Sequence, residues 1–419
     1  MSSDWNPGIV FAQLTDVGMR RANNQDSLAC IPANSAERFH SRGHLLVVAD
    51  GMGAHAAGEL ASQIATERIA MQYFRSTESS RVDAIRRSLV EANEAIHQRG
   101  QSNPEFHNMG TTASALVIAP EGAIIGHVGD SRVYRLRGGV LEQLTFDHSL
   151  VWEMEAAGNS SQHFPKNVIT RSLGPSPQVE VDIEGPLPVE EGDCYLVCSD
   201  GLTGLVEDNE LGPLMECLPE EKLVRVLVDL ANLRGGPDNI SVVVARVKSV
   251  ASNDPEVSVQ PSAPVAEKPS ALIFTTIACF VAAGILGLVG MFGPMVIALL
   301  LGVIAGIITI VQWVQMNPAA VVSGSGGTTG GPYRRYDATP GPDLFLQLGD
   351  TVAKLREAAE MNNWMMDWSK VEDLQAQGVS ALGNREISEA IRVQAEAVIE
   401  TMNQLREQND RSASETAIE

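Results

Sequence analysis

Four aspartates stand at the ends of short apolar runs, where strands of a sheet are expected to stop or start. They are Asp50, Asp130, Asp200 and Asp238. Asp and Gly are poor strand residues, so a single Asp-Gly pair is typical of a turn. Four such positions in one domain instead predict that a sheet gathers the carboxylates at one rim. Neighbouring carboxylates repel unless cations lie between them, and Mg²⁺ or Mn²⁺ prefers hard oxygen ligands of this kind.

A rim of this composition would suit the hydrolysis of a phosphate ester. Two divalent ions about 4 Å apart would lower the pKa of a water between them and so produce a nucleophile for in-line attack on phosphorus. A nearby arginine would hold the phosphate with two parallel hydrogen bonds. The N-terminal stretch "TDVGMRRANNQD" supplies further candidates for such a site, namely Asp16, Arg20 and Asp26.

The elements that must position these residues are short β-rich runs and two helices. Turn residues separate the runs, which include "HLLVVAD", "ASALVIA", "AIIGHVGD", "CYLVCSD" and "ISVVVARV". Residues 56–74 and the stretch "VDAIRRSLVEANEAIHQRG" have helical periodicity. The strands follow one another after the helices rather than alternating with them, which favours an α+β fold with a largely antiparallel sheet.

The composition excludes some classes of partner. The chain has 419 residues and a formal net charge of −22, which argues against nucleic acid or anionic lipid as a partner of the whole chain. Its five cysteines show no C-x-x-C pairing, so we expect free thiols in a reducing compartment. The stretch "MSSDWNPG" shows no basic region before an apolar run, so no cleavable signal is expected.

A long uncharged tract divides the chain, with no charged residue between Lys268 and Arg334. Two apolar segments, 271–292 and 295–314, are each about 20 residues long, enough to cross a bilayer as a helix. Gly293-Pro294 between them suits a tight reversal. The tract therefore predicts a transmembrane helical hairpin, although a pair of buried helices in a soluble core is the alternative. The flanking basic residues place the catalytic domain and tail on the cytoplasmic side of the cell (inner) membrane.

The remaining segments are linkers and a tail. Ile391, Ala395, Val398, Met402 and Leu405 recur at 4,3,4,3 spacing, which indicates either a coiled-coil-like stripe or a packed amphipathic helix. The predicted division of the chain is a catalytic domain at 1–250, a Pro/Ser-rich linker at 251–270, the hairpin at 271–315, a Gly-rich linker at 316–342, a helical tail at 343–409 and a disordered end at 410–419.

Eight stretches resemble, in order, the motifs of the metal-dependent protein phosphatase 2C family in its bacterial branch. They are "TDVGMRRANNQD", "VADGMGAHAAGE", "MGTTASALVI", "GHVGDSRVYRL", "LTFDHSLV", "VITRSLG", "LVCSDGLTGLV" and "GGPDNISVVVARV". The resemblance spans about residues 13–247. It implies a sandwich of two antiparallel sheets flanked by helices, with two Mn²⁺ or Mg²⁺ ions in the core of the site.

The resemblance also implies roles for single residues. Asp50 would bridge the two metals, and the carbonyl of Gly51 would bind the second. Asp200 and Asp238 would hold the first metal, and Asp130 would belong to a third, weaker site. Arg20 would bind phosphate, Asp26 would orient metal-bound water and Asn239 would support the adjacent ligand. Asp16 and Thr111 would be structural or would support the ligands.

Three positions depart from the family pattern, and two of them bear on the chemistry. Gln25 replaces a glutamate that many relatives carry before Asp26, and Met52 stands where eukaryotic members often place a general-acid histidine. Protonation of the leaving alkoxide would then come from water. His55 is a secondary candidate for this acid, and a structural role for it is an equal alternative.

These expectations combine into a membrane-anchored serine/threonine phosphatase that acts by attack of a metal-bridging hydroxide and opposes a serine/threonine kinase. One alternative is a catalytically inactive sensor or scaffold that binds phosphoproteins, which the complete aspartate set argues against. Another keeps the enzyme but gives it a phosphorylated anti-anti-sigma-type regulator as substrate. The tail could mediate protein contacts.

Overall fold

The computed structural model describes residues 5, 8–53, 57–156, 165, 168–249 and 331–416, with side chains up to residue 409. Two antiparallel sheets form the centre of this part of the chain. The first sheet has the order β1-β11-β10-β7-β8-β12. Its strands are β1 (Ile9–Asp16), β7 (Arg132–Arg137), β8 (Val140–Gln143), β10 (Cys194–Cys198), β11 (Ile240–Val247) and β12 (Arg334–Asp337).

The second sheet has the order β2-β3-β5-β6-β9, and the short β4 also pairs with β3. Its strands are β2 (Asp26–Ile31), β3 (His44–Met52), β4 (Gly110–Thr111), β5 (Ala113–Ala119), β6 (Gly122–Val128) and β9 (Asp182–Leu187). Every recorded strand pair is antiparallel. The predicted α+β class with antiparallel sheets is therefore confirmed.

Strand β3 shows why the core has three layers. Successive side chains of a strand point to opposite faces, and both faces of β3 are apolar. Leu46 and Val48 pack between the two sheets, against residues such as Val197 and Val243. Leu45 and Val47 pack on the outer face of the second sheet, beneath two helices. A strand buried on both faces is held rigidly, which makes its end a suitable place for a functional side chain.

The two outer faces are covered by different parts of the chain. Helices α2 (Ala57–Arg75) and α3 (Arg81–Ser102) cover the second sheet. Both were predicted, and the stripe Ile85, Leu89, Ala92 and Ile96 is fully buried. The helices of the catalytic region are α1 (Ala36–Arg42), α2, α3, a 3₁₀ turn (Pro104–Phe106), α4 (Leu150–Ala156), α5 (Asp200–Thr203), α6 (Asp208–Cys217) and α7 (Glu220–Leu233).

The first sheet is covered by α6, α7 and the tail. The tail forms α8 (Pro342–Met361), α9 (Ser369–Gly383) and α10 (Ile387–Thr416). Leu348 of α8 and Ile391 and Val398 of α10 are buried in the same apolar cluster as Leu227 of α7. The stripe on α10 is thus the buried face of a packed amphipathic helix, which was one of the two readings of its spacing. The tail belongs to the same compact unit as the catalytic region.

Two predicted boundaries change. The Gly-rich linker was placed at 316–342, but Arg334–Asp337 form strand β12, which pairs with β8. Their alternation of exposed and half-buried residues is that of an edge strand. The last helix continues to Thr416, past the predicted start of disorder at residue 410.

The predicted hairpin at 271–315 lies outside the described residues, as do the linker at 251–270 and the first part of the Gly-rich linker. Within the ranges that are described, no helix is long and apolar enough to cross a membrane.

Candidate active site

Asp50 lies at the end of β3, where three hydrogen bonds hold its backbone. Its amide donates to Thr112 Oγ1 at 2.9 Å, and its carbonyl accepts from the Thr112 amide at 2.9 Å. The Thr111 hydroxyl donates to the same carbonyl at 2.8 Å. Thr111, predicted to be structural or supporting, is thus one of the residues that fix the direction of the Asp50 side chain.

Gly51 follows because no larger residue fits. A Cβ at this position would lie 2.1 Å from the Gly58 carbonyl oxygen and 2.5 Å from that of Gln25. The Gly51 amide donates to the Gln25 carbonyl at 3.1 Å. This close approach brings the loop before β2 against the end of β3, which is the contact that sets Asp26 beside Asp50.

Asp26 begins β2 directly opposite Asp50 in the strand register. Its Oδ2 accepts from the Ser199 hydroxyl at 2.8 Å, while its buried Oδ1 has no hydrogen-bond partner among the described residues. Burial raises the pKa of Asp26 to about 7, aided by the charges of Asp200 and Asp238 and opposed by hydrogen bonds from Ser199 and Ser241.

Asp50 and Asp200 are joined by a hydrogen bond between their side chains. Burial raises the pKa of Asp50 well above its usual range, and the charges of Asp26, Asp200 and Asp130 raise it further. Burial also raises the pKa of Asp200. Two carboxyl groups in this arrangement disfavour each other's ionisation, because like charges side by side repel.

Asp130 follows β6 and completes the group. Burial raises its pKa to about 7, and the charges of Asp200 and Asp147 contribute. Its buried Oδ1 lacks a hydrogen-bond partner in the described part of the chain. We refer to Asp26, Asp50, Asp130 and Asp200 as the carboxylate cluster.

Asp238 lies beside this cluster and binds an arginine. Arg21 Nη2 donates to Asp238 Oδ2 at 2.8 Å, and Arg21 Nε lies 3.3 Å from the Pro237 carbonyl. Arg20, the predicted phosphate-binding residue, is not among the residues that line the cavity beside Asp200, and its guanidinium lies toward Gly235 instead. The geometry thus places Arg21, and not its neighbour, at the carboxylates.

Asn239 pins the loop that carries Arg21. Its side-chain amide donates to the Val17 carbonyl at 2.8 Å and to the Asn23 carbonyl at 3.0 Å. Its Oδ1 accepts from the Gln25 amide at 2.8 Å. Asn239 therefore holds the loop that carries Arg21, and its predicted support of the adjacent metal ligand stays a prediction. Asp16 also stabilises this loop, because its Oδ1 accepts from the Gly18 amide at 2.9 Å.

A cavity of about 640 Å³ opens beside Asp130, Asp200, Asp238 and Arg21. Its far side, which we call the arginine wall, is made of Arg132, Asp147, Trp152, Glu155 and Arg334. Here each charge has a partner. Arg132 Nη2 lies 2.7 Å from the buried Asp147 Oδ2, and Arg334 Nη2 lies 2.8 Å from Glu155 Oε2.

Comparison with known proteins identifies the family of this chain. The model of the protein phosphatase 2C family matches residues 19–232. This chain belongs to the protein phosphatase 2C family. Protein phosphatase PhpP of Streptococcus pneumoniae is 37% identical over 241 residues, which cover 55% of this chain and 94% of that protein.

Two solved phosphatases have the same fold. The serine/threonine phosphatase PstP/Ppp of Mycobacterium tuberculosis is 33% identical with a TM-score of 0.50, over 57% of this chain and 99% of that one. The serine/threonine phosphatase of S. agalactiae is 35% identical with a TM-score of 0.51, over 57% of this chain and 99% of that one. The predicted family and enzyme class are confirmed.

Phosphatases of this family use Mn²⁺ or Mg²⁺, and the carboxylate cluster fits such ions. In the described residues no three His, Cys, Asp or Glu side chains form a group that could hold a metal ion. The side chains of Asp50 and Asp200 instead lie within hydrogen-bonding reach of each other. The cluster nevertheless has the chemistry that a small divalent cation satisfies. It contains two buried carboxylate oxygens without a hydrogen-bond partner among the described residues. The pKa of each of its four aspartates is raised.

The phosphatase site differs from the sequence prediction in its cationic groups. Arg21, Arg132 and Arg334 line the cavity, and none of them was predicted. Arg132 lies within the quoted motif "GHVGDSRVYRL" and could have been noticed, whereas Arg334 lies outside the matched family region. His55 lies outside the described residues, so its proposed role as an acid stays a prediction.

Proposed function

We propose that this chain is a metal-dependent serine/threonine phosphoprotein phosphatase of bacterial type, anchored to the membrane. The observation that carries the proposal is the convergence of Asp26, Asp50, Asp130 and Asp200 from strand ends of both sheets. Like charges at this separation destabilise the apo protein unless a proton or a cation lies between them. Their proximity is therefore explained by function rather than by stability.

The chain's own groups have separable roles in this proposal. Asp50, Asp200 and Asp238 would hold two divalent ions, with the Gly51 carbonyl on the second and Asp130 at a third, weaker position. When bound, the ions supply Lewis-acid stabilisation and an activated water nucleophile for attack on the phosphomonoester, the two-ion mechanism that the sequence predicts.

Arg21 takes the place that the sequence analysis gave to Arg20. Its planar guanidinium suits bidentate binding of phosphate oxygens, and its contact with Asp238 aims it into the cavity. Ser199 fixes Oδ2 of Asp26 and leaves Oδ1 to accept a hydrogen bond from a water.

The membrane part of the proposal is supported by sequence and topology. Residues 271–315 contain two uncharged segments of about 20 residues, enough for two spans. Residues 8–249 and 331–416 belong to one compact unit, so both lie on the same side of any membrane. The chain between them would cross an even number of times, as a hairpin does. We place both parts on the cytoplasmic side, where the substrates would be phosphoserine and phosphothreonine proteins of an opposing kinase.

The activity is tested with the full-length chain, a phosphothreonine peptide and Mn²⁺. We expect turnover that EDTA abolishes and that Asp200→Asn reduces at least a hundredfold. Asp350→Asn, an exposed aspartate paired with Lys354 on α8, is the matched control and should retain full activity. Absence of metal-dependent turnover by the wild type would favour the inactive sensor or scaffold.

Anchoring is tested separately by alkaline carbonate extraction of membranes that contain the full-length chain. We expect the protein to stay in the pellet. Release into the soluble fraction would refute the hairpin without affecting the activity.

A further inference from the structure

Arg334 follows the uncharged tract in the sequence, and it lines the active-site cavity. It begins the edge strand β12, which pairs with β8 so that Arg334 stands opposite Gln143. The Tyr333 amide donates to the Gln143 carbonyl at 2.9 Å, and the amide of the buried Ala338 donates to the Gly139 carbonyl at 2.8 Å. The backbone on both sides of Arg334 is therefore held, and the guanidinium is aimed by a fixed strand rather than by a loose terminus.

The side chain of Arg334 is oriented by its neighbours, but its ion-pair partner is exposed and can be replaced. Its guanidinium carbon lies 3.9 Å from the ring centroid of Trp152, a distance at which the cation is attracted to the ring. Its ion pair joins it to Glu155, whose side chain is 47% exposed. An exposed pair of this kind contributes little to stability, so another anion can replace Glu155 at little cost.

The other two arginines of the cavity have stronger partners. Arg132 is held by Asp147, whose side chain is only 5% exposed, and it also donates to the Tyr134 hydroxyl. Arg21 contacts Asp238 at the carboxylates. Among the described residues that line the cavity, Arg334 is thus the arginine whose bound anion is the most exposed.

We propose that Arg334 is a specificity-determining residue that binds an acidic group of the substrate, a carboxylate or a second phosphate, near the phosphorylated residue. This inference rests on the phosphatase function proposed above. A cavity of about 640 Å³ leaves room for a neighbouring side chain beside the phosphoryl group. A chain with a net charge of −22 repels acidic substrates at long range, and a cation at the cavity opposes that repulsion locally.

The test uses the full-length protein with Mn²⁺ and three phosphothreonine peptide sets, which carry neutral residues, a glutamate or a second phosphate at successive flanking positions. p-Nitrophenyl phosphate, which has no flanking residue, reports on the chemistry alone. We expect the wild type to have about a tenfold higher kcat/KM for at least one acidic position, as a charged hydrogen bond allows. The set with the larger gain identifies the anion.

Arg334→Gln should lose this preference and hydrolyse p-nitrophenyl phosphate within twofold of the wild type. The matched control is Arg335→Gln on the same strand, because Arg335 pairs with Glu142 and does not line the cavity. It should keep the preference. Glu155→Gln frees Arg334 and should raise kcat/KM for the acidic peptides.

Two results would overturn the inference while leaving the phosphatase function intact. One is a wild type without preference for acidic peptides. The other is an Arg334→Gln variant that loses p-nitrophenyl phosphate and acidic-peptide activity equally, which would show that Arg334 only supports the fold. A wild type that hydrolyses none of these substrates would instead refute the proposed function.

Discussion

The two sides of the active-site cavity differ in whether their charged groups have partners of opposite charge. The carboxylate cluster brings together acidic groups that lack cationic partners of their own, with two buried oxygens that no described residue satisfies. The arginine wall pairs each of its charges, and Arg132 holds Asp147 through three contacts of 2.7–3.1 Å. The cluster is therefore incomplete without a cation, while the wall is complete in the protein alone. Removing an aspartate should therefore raise the stability of the metal-free protein when the aspartate belongs to the cluster, and lower it when the aspartate belongs to the wall.

The largest effect is expected for Asp50→Asn. Activity with saturating Mn²⁺ should fall about a thousandfold, because metal stabilisation of a transition state is worth several kcal/mol. In EDTA at pH 8 the same variant should be more stable than the wild type, because it removes a buried carboxylate whose pKa is raised by burial and three neighbouring acids. Urea unfolding of both proteins measures this difference, and a less stable apo variant would contradict the description of the cluster as strained.

Asp147→Ala should have the reverse effect on stability. Asp147 is buried, and its loss leaves the Arg132 guanidinium without the carboxylate that pairs with it and removes one of the two acceptors of the Gln143 side-chain amide. Breaking a buried ion pair by removing one partner costs roughly 3–5 kcal/mol.

The same urea experiment in EDTA compares Asp147→Ala with Asp50→Asn. Asp147→Asn, which keeps the shape and one acceptor, should lie between the wild type and the alanine variant. If the two aspartates shift the unfolding midpoint in the same direction, the contrast between cluster and wall is wrong.

The third prediction concerns the tail that supports the arginine wall. Leu348 of α8 is fully buried in the apolar cluster that also contains Ala338, the residue that follows β12. Leu348→Ala should cost about 2–5 kcal/mol in free energy of unfolding. Leu346 on the same helix is 61% exposed, and Leu346→Ala is the matched control with little expected change.

If the tail is part of one cooperative unit with the catalytic region, Leu348→Ala shifts a single unfolding transition for all probes. If tail fluorescence and phosphatase activity are lost at different urea concentrations, the tail is an appended layer. The wall would then not depend on it.

The aspartates of the site could be predicted from the sequence, whereas two of the arginines that line the cavity could not. Asp50, Asp200 and Asp238 each stand beside an apolar strand, so local patterns are enough to find them. The choice between Arg20 and Arg21 depends on the direction in which one loop residue points, and two adjacent arginines give no local signal for it. Arg334 is beyond local reasoning because its position depends on pairing between β12 and β8, strands far apart in sequence.

The tail shows the same limit in its packing. Its periodic apolar residues predict a helix with one buried face, and α10 confirms it. The periodicity does not indicate which surface the helix packs against. In the structure that surface is α7 and the outer face of the first sheet. The predicted separation of catalytic domain and tail by linkers could not anticipate one shared core.

The smallest effect is expected at the other end of β3, where His44 begins the strand that ends near Asp50. Burial lowers the pKa of His44 to about 4, and its Nδ1 accepts from the Ala33 amide at 2.9 Å. The unfolded state, with a histidine pKa near 6.5, binds the proton first as the pH falls. The contribution of neutral His44 to the free energy of unfolding is therefore fully present above pH 6.5. It decreases below that pH, by about 2 kcal/mol at pH 5.

Asp26 and Asp130 act in the opposite direction, since a raised carboxyl pKa favours the folded state as the pH falls. The pH profile of the wild type alone mixes the two signs, so the informative quantity is its difference from His44→Asn. Asn keeps an acceptor for the Ala33 amide and does not titrate. The difference in free energy of unfolding between the two proteins in EDTA should shrink by about 2 kcal/mol from pH 7 to pH 5. A constant difference would mean that folding leaves the pKa of His44 unchanged, which would contradict the effect of burial on this group.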